Sequence, residues 1–242
     1  MKKILLWTIL SSLLAIGISP TRAVGASQND SPPKNLTATQ TDTPPVIDGK
    51  LDDACWAKAA KTSLFTRYTQ SESVPPEQTS GQVCFDSENI YVAVQCQVTD
   101  MDHFRSRLAD IGKTFAWKKC GNIQVFFDPG NLGRNRHQFC LHPNGSVMAH
   151  IPHRRGTKIE PALPQDVTFK TSLTETGYVM EAAFPFYMFA LQKESSPVWG
   201  FNLAREHDTS GQYTASGDSN VTASRRIGSK LPRLNGENSS QD

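Results

Sequence analysis

Three side chains with ligand chemistry stand close together in this sequence: His137, Met148 and His150. Read as a two-residue turn, Asn144-Gly145 puts Phe139 opposite His150 and Leu141 opposite Met148, with His137 diagonal to His150 on the same face. A His/Met set on one strand face could ligate b-type haem or a transition metal. The plainer reading is that strands carry histidines of no special role and that methionine fills core. No ligand spacing of a strong type supports the metal. Two carboxylates, Glu181 and Glu206, fall on or beside candidate strands. A glycosidase pair must sit roughly 5–10 Å apart across a cleft, and nothing in their spacing marks them as such a pair. There is no G-x-S-x-G elbow and no H-E-x-x-H, so no catalysis is expected. The five cysteines, Cys55, Cys84, Cys96, Cys120 and Cys140, include no C-x-x-C. That spacing excludes a zinc ribbon, thioredoxin-like chemistry and attached c-type haem. They read as small core residues, with one or two bridges that spacing cannot assign.

The elements that would position these groups are strands. Gly81 to Phe85 and Ile90 to Val98 alternate around the polar turn Asp86-Ser87-Glu88-Asn89. Pairing Phe85 with Ile90 puts Val83, Phe85, Ile90, Val92, Val94 and Cys96 on one face. Further strands are expected at 123–127, 138–141, 147–149, 167–173, 178–184 and 199–204. Only Asp53 to Lys61, with a second stretch at Phe186 to Leu191, reads as helical. Short strands at regular spacing with Gly, Pro and Asn turns argue an all-β fold, an antiparallel β-sandwich with one short N-terminal helix.

The ends differ from the middle. Lys2 and Lys3, the apolar run from Ile4 to Ile18 and the small residues Val24-Gly25-Ala26 form the three-part pattern of a secretory signal peptide over residues 1–26. Residues 27–44 read as a flexible linker, 45–207 as the sandwich, and 208–242 as an irregular or disordered tail. Cleavage after Ala26 removes Lys2, Lys3 and Arg22 and no acid. It leaves 22 basic against 23 acidic side chains, a net charge of −1. A nearly neutral mature chain excludes nucleic acid as partner. No later apolar run reaches the length of a membrane span. The expected location is secreted or periplasmic.

Six segments, in order, resemble the family-9-type carbohydrate-binding modules of the DOMON-like β-sandwich superfamily, domains attached to xylanases and related secreted proteins. They are Pro45-Val46-Ile47-Asp48-Gly49-Lys50-Leu51-Asp52-Asp53-Ala54-Cys55-Trp56, then Asp86 to Val94, then Trp117 with Ile123 to Pro129. Gln138-Phe139 with Asn144-Gly145, Gly177 to Phe186, and Trp199 to Arg205 follow. The resemblance implies non-catalytic binding of a saccharide in polysaccharide breakdown of the xylan or cellulose type. It implies no cofactor beyond a structural calcium. Related sandwich domains that carry haem make His137, Met148 and His150 the rival reading, and the family's association with hydrolases supplies a third.

Stacking on sugar C–H patches needs an aromatic face, and hydroxyl pairs need planar donors and acceptors. The resemblance points to Trp117 as platform, with Gln124, Asn202 and Arg205 as hydrogen-bonding partners. The alternatives are that Trp117 packs at a strand end and that Arg205 pairs with Glu181 inside the fold. Trp56 reads as structural, plugging one end of the sandwich. The chain also departs from the family. Lys118-Lys119-Cys120-Gly121-Asn122 stand where paired acids are usual, and Gln124 where Glu is usual. The family's closing H-x-P-x-x-F-G strand does not follow Arg205, so one sheet is expected to end in an open edge unless the tail covers it.

Overall fold

The computed structural model describes residues 34–67, 74–113, 120–132, 136–153, 156–160, 167–189, 198–207, 213–216 and 218–223. In chain order the strands are β1 (Lys34–Gln40), β2 (Phe65–Arg67), β3 (Thr79–Phe85), β4 (Asn89–Gln97), β5 (Ile123–Asp128), β6 (His137–Leu141), β7 (Val147–His153), β8 (Gly156–Glu160), β9 (Thr168–Leu173), β10 (Gly177–Pro185), β11 (Val198–Glu206), β12 (Tyr213–Ser216) and β13 (Asp218–Ala223). Two α-helices, α1 (Ala54–Lys58) and α2 (Met101–Ile111), and a 3-10 turn over Phe186–Phe189 complete the set.

The strands form the two layers of a β-sandwich. The first sheet runs β8-β7-β6-β5-β11-β13-β1, with β12 paired to β11 and β2 to β12; the second runs β1-β3-β4-β10-β9. Pairing is antiparallel except at β1. Residues 34–38 of β1 run parallel to β13 and Thr39–Gln40 run parallel to β3, so one strand belongs to both sheets. Alternation explains the core. Val83, Phe85, Ile90, Val92, Val94 and Cys96 face inward from the second sheet, and Ile123, Val125, Phe127, Phe139, Leu141, Phe201 and Leu203 from the first. Phe127 lies at the centre, in edge or tilted contact with Phe139, Phe184, Phe189, Trp199 and Phe201.

The β3–β4 hairpin has the expected register, Phe85 opposite Ile90 and Val83 opposite Val92. The β6–β7 hairpin does not. Leu141 pairs with Val147, Phe139 with Ala149 and Gln138 with His150. The loop holds three residues, Pro143-Asn144-Gly145, between His142 and Ser146, with Gly145 at φ 86° and the His142 N–H donating to the Ser146 carbonyl. A three-residue loop ending in a left-handed glycine shifts the register by one from the two-residue expectation.

Three further expectations are corrected. The linker assigned to 27–44 contains β1, whose Leu36 and Ala38 are buried. The tail assigned to 208–242 contains β12 and β13, and β13 fills the place between β11 and β1 that was expected to be an open edge. The helix count was too low: α2 is 11 residues long. Asp100 caps it, its side chain accepting from the His103 N–H at 2.9 Å, and Phe104 from its inner face stacks on Tyr178 with centroids 5.3 Å apart. Among the described residues no helix is long and apolar enough to cross a membrane.

The outer face of the second sheet is also covered. Cys55, Trp56 and Ala59 of the α1 region pack on Cys84, Tyr91, Ala93 and Ala183. Trp56 is therefore structural as expected, but it lies on this outer face and not at an end of the sandwich. The same segment clamps a buried carboxylate. Glu181 accepts from the backbone N–H groups of Asp48 (3.1 Å), Gly49 (2.7 Å) and Lys50 (3.1 Å), and from Trp56 Nε1–H at 2.7 Å. Gly49 holds φ at 89° to present these N–H groups. The Asp-Gly-x-x-x-x-x-x-Trp spacing is thus a device for seating a carboxylate between a turn and an indole. Burial pushes the Glu181 pKa up against the pull of those four donors.

Candidate functional site

The four residues singled out for sugar binding separate into different places. Trp117 lies outside the described residues. Gln124 and Asn202 share the outer face of the first sheet, because β5 and β11 pair Gln124 with Ala204 and Phe126 with Asn202. There Gln124, 7% exposed, accepts from Gln138 Nε2 at 2.9 Å, and Asn202 Nδ2 donates to the Ser216 carbonyl at 3.2 Å. Arg205 alternates to the opposite side of β11 from Asn202 and Ala204, and is 3% exposed. It pairs with Glu77 and not with Glu181.

Around Arg205 the structure assembles a polar cluster from five segments. Its Nη2 donates to Glu77 Oε2 and its Nη1 to Thr79 Oγ1, each at 3.3 Å. His207 Nδ1 lies 3.4 Å from the same Glu77 oxygen, and its Nε2 lies 3.0 Å from Thr214 Oγ1. The guanidinium carbon sits 5.6 Å from the centroid of the Tyr178 ring, a cation–π geometry. The Glu77 carboxylate also accepts from the Thr99 N–H at 2.8 Å. Its pKa falls to about 2, through the hydrogen bond from His207 first, then the Thr99 N–H and the Arg205 charge. The Nε–H of Arg205 is buried and finds no hydrogen-bond partner.

This cluster borders a cavity of about 430 Å3, within the range of small-ligand sites. Glu77, Arg67, His103, Arg205 and His207 supply polar groups to its wall, and Pro75, Pro76, Val98 and Phe104 supply apolar ones. Gly121, also in the wall, packs against the Glu206 carbonyl and the Tyr178 hydroxyl beside Arg205. Sequence reading missed Glu77, His207 and α2. Asp100 followed by Met101, Phe104, Leu108 and Ile111 is a capped helical stripe that could have revealed α2; nothing in Pro75-Pro76-Glu77 signals a partner for Arg205.

The rival sites do not assemble. His137 pairs in register with Phe127 and is buried at 1% exposure against the Phe189 ring, centroids 5.1 Å apart. Burial lowers its pKa to about 4. The corrected register places Met148 opposite Cys140, on the outer face, and His150 opposite Gln138, out of step with His137. The expected set therefore does not form as read: His137 faces the core and Met148 the outer face, because a one-residue slip reverses the strand. Glu181 and Glu206 lie on different sheets, each hydrogen-bonded, Glu206 by Asn122 Nδ2 at 2.8 Å. Among the described residues no three His, Cys, Asp or Glu side chains converge.

Two sheets packed as a sandwich, with a polar-walled cavity beside one end of β11, define the class as an all-β sandwich. The family model described as carbohydrate family 9 binding domain-like matches residues 47–224. The chain belongs to that family. Among solved structures it is similar to a carbohydrate binding module family 9 from Caldicellulosiruptor kristjanssonii in complex with cellotriose. Identity is 12% and TM-score 0.52, over 82% of this chain and 98% of that one. A glucose complex described in the same way is 13% identical, TM-score 0.50, over 82% and 100%. A putative carbohydrate-binding protein from Bacteroides uniformis is 11% identical, TM-score 0.54, over 83% and 93%. These likenesses concern the fold. No curated protein is significantly similar to the chain.

Proposed function

We propose that this protein is a non-catalytic saccharide-binding module, and that the cavity beside Arg205 receives the sugar. The observation that carries the reading is the Arg205–Glu77 pair in the wall of a mixed polar and apolar cavity. An anionic ligand there meets the Glu77 carboxylate and a cationic one meets Arg205. A neutral polyhydroxylated ligand meets neither penalty, and its hydroxyls can give to one group and take from the other. Pro75, Pro76, Val98 and Phe104 offer the apolar surface that sugar C–H patches require. Membership of the family and the saccharides named with its structural relatives, cellotriose and glucose, support the same class of ligand. Trp117, three residues ahead of the wall residue Cys120, remains the proposed stacking platform on family resemblance. Its Trp117→Ala variant should keep the melting temperature and lose affinity. Export follows from the leader over residues 1–26, and a place in breakdown of xylan- or cellulose-type polysaccharide follows from the family; N-terminal sequencing of the secreted chain tests the first.

Calorimetry of the full chain against glucose, cellotriose and xylan oligosaccharides is the direct test. Binding without turnover is expected. Arg67→Ala and His103→Ala, at the less buried part of the wall, should leave the fold intact and weaken binding at least about tenfold, or 1.4 kcal/mol. Unchanged affinity in both variants, with loss in Gln124→Ala or Asn202→Ala, would move the site to the outer face of the first sheet.

A further inference from the structure

Two of the cysteines meet. Cys55 is the second residue of α1 and is 4% exposed; Cys84 is the penultimate residue of β3 and is fully buried. The pairing of Cys84 with Tyr91 turns its side chain away from the main core, into the cluster formed by Cys55, Trp56, Ala59, Tyr91, Ala93 and Ala183. Both thiols are buried within this one cluster, where α1 packs on β3. The others have different neighbours. Cys96 and Cys120 belong to the main core, and Cys140 accepts from Gln138 Nε2 at 3.6 Å.

We propose that Cys55 and Cys84 form a disulfide when the chain folds in an oxidising compartment. The step is thiol–disulfide exchange: the two thiols give up two protons and two electrons to a small-molecule or protein disulfide, which leaves as two thiols. Geometry selects this pair among the five cysteines, since it joins an element that must dock to the sheet surface on which it docks. Timing follows from burial. In the folded chain both sulfurs are shut from solvent, and burial pushes both thiols above their ordinary range, where little reactive thiolate exists. The bridge therefore forms while α1 is still settling on β3, before Trp56 reaches Glu181. Once formed, it pins to the second sheet the segment whose N–H groups hold that carboxylate. Three cysteines are left as thiols.

The test refolds the full chain from denaturant in a mixed reduced and oxidised glutathione buffer. Thiols are then blocked under denaturing, non-reducing conditions, and peptides are mapped by mass spectrometry. The expected result is one linked peptide pair carrying Cys55 and Cys84, two hydrogens lighter than the sum of its free peptides, with Cys96, Cys120 and Cys140 blocked. Reduction should lower the melting temperature by about 5–15 °C, the range for a bridge closing a loop of this size in a domain of this length. The Cys55→Ala and Cys84→Ala variants should lose that sensitivity to reductant. Full blocking of both residues in the refolded wild type, or a different linked pair, overturns the proposal. So does a reductant-sensitive melt that survives in both variants.

Discussion

Replacing Glu77 with Gln should cost this protein about 3 kcal/mol at pH 7, and the cost should vanish in acid. Two independent routes give the magnitude. The carboxyl pKa is about 2 in the folded chain against 4.5 for an ordinary Glu, and each unit is worth 1.36 kcal/mol, hence about 3 kcal/mol. Glutamine also strands the buried Arg205 guanidinium, and breaking a buried pair costs about 3–5 kcal/mol. Because a quarter of the Glu77 side chain is exposed, the lower end applies. Glutamine keeps shape and can still accept from the Thr99 N–H, so the loss reports charge and not packing. The sign is fixed by linkage. A depressed carboxylate pKa gives stability that is complete above about pH 4.5 and is lost as pH falls towards 2. The assay is urea denaturation of wild type and Glu77→Gln at half-unit steps from pH 7 downward. The gap between the two should be level near neutrality and close through that window. A gap below about 0.5 kcal/mol at pH 7, or one that stays constant into acid, refutes the assigned Glu77–Arg205–His207 coupling.

His137 should produce a separate acid effect. Its pKa, lowered by burial from 6.5 to about 4, gives stability that is full above pH 6.5 and lost as pH falls towards 4, so His137→Phe should remove the wild-type decline between pH 6.5 and 4 seen in pH-dependent melting. Trp56→Phe, which deletes one donor to the buried Glu181 carboxylate, should cost about 1.5–3 kcal/mol in chemical denaturation. A chain stopped after His207 lacks β12 and β13, partners of β1, β2 and β11, and should fail to unfold cooperatively by calorimetry.

The sequence made the sandwich legible wherever alternation was long and turns were polar. Asp86 to Asn89 fixed the β3–β4 register because the Asp86 carboxylate accepts from the Glu88 and Asn89 N–H groups, a local interaction a reader of sequence can see. Asn144-Gly145 misled because a turn dipeptide does not state its loop length; one residue more, and Met148 changes faces. β12 and β13 are short and rich in Thr, Ser and Asn, so their strand character comes from their partners and not from their own pattern. The site was less legible than the fold. Arg205 stood out in the sequence as a fixed fork of donors, but its partner Glu77 arrives from a proline-rich loop far away in the chain, and only the tertiary structure shows that Gln124 and Asn202 look the other way.

The strand shared by both sheets has a kinetic consequence. Leu36 of β1 stands in register with Val221 of β13, so one of the earliest strands to be synthesised finds that partner only when nearly the last one exists. Until then the seam between the layers is open, and β11 lacks its neighbour. Closure of this contact, among the most distant in sequence, carries the largest loop entropy and so falls late. Refolding should therefore show a slow phase that a circular permutant, with β13 joined to β1 by a linker long enough to return along the parallel pair and new ends in an exposed loop, would shorten. Because this pair is parallel, Lys34 stands beside Asp218 and Ala38 beside Ala223, so the polypeptide enters β1 and leaves β13 at opposite ends of the seam, and domains fused before and after this sandwich would hang from opposite ends of it.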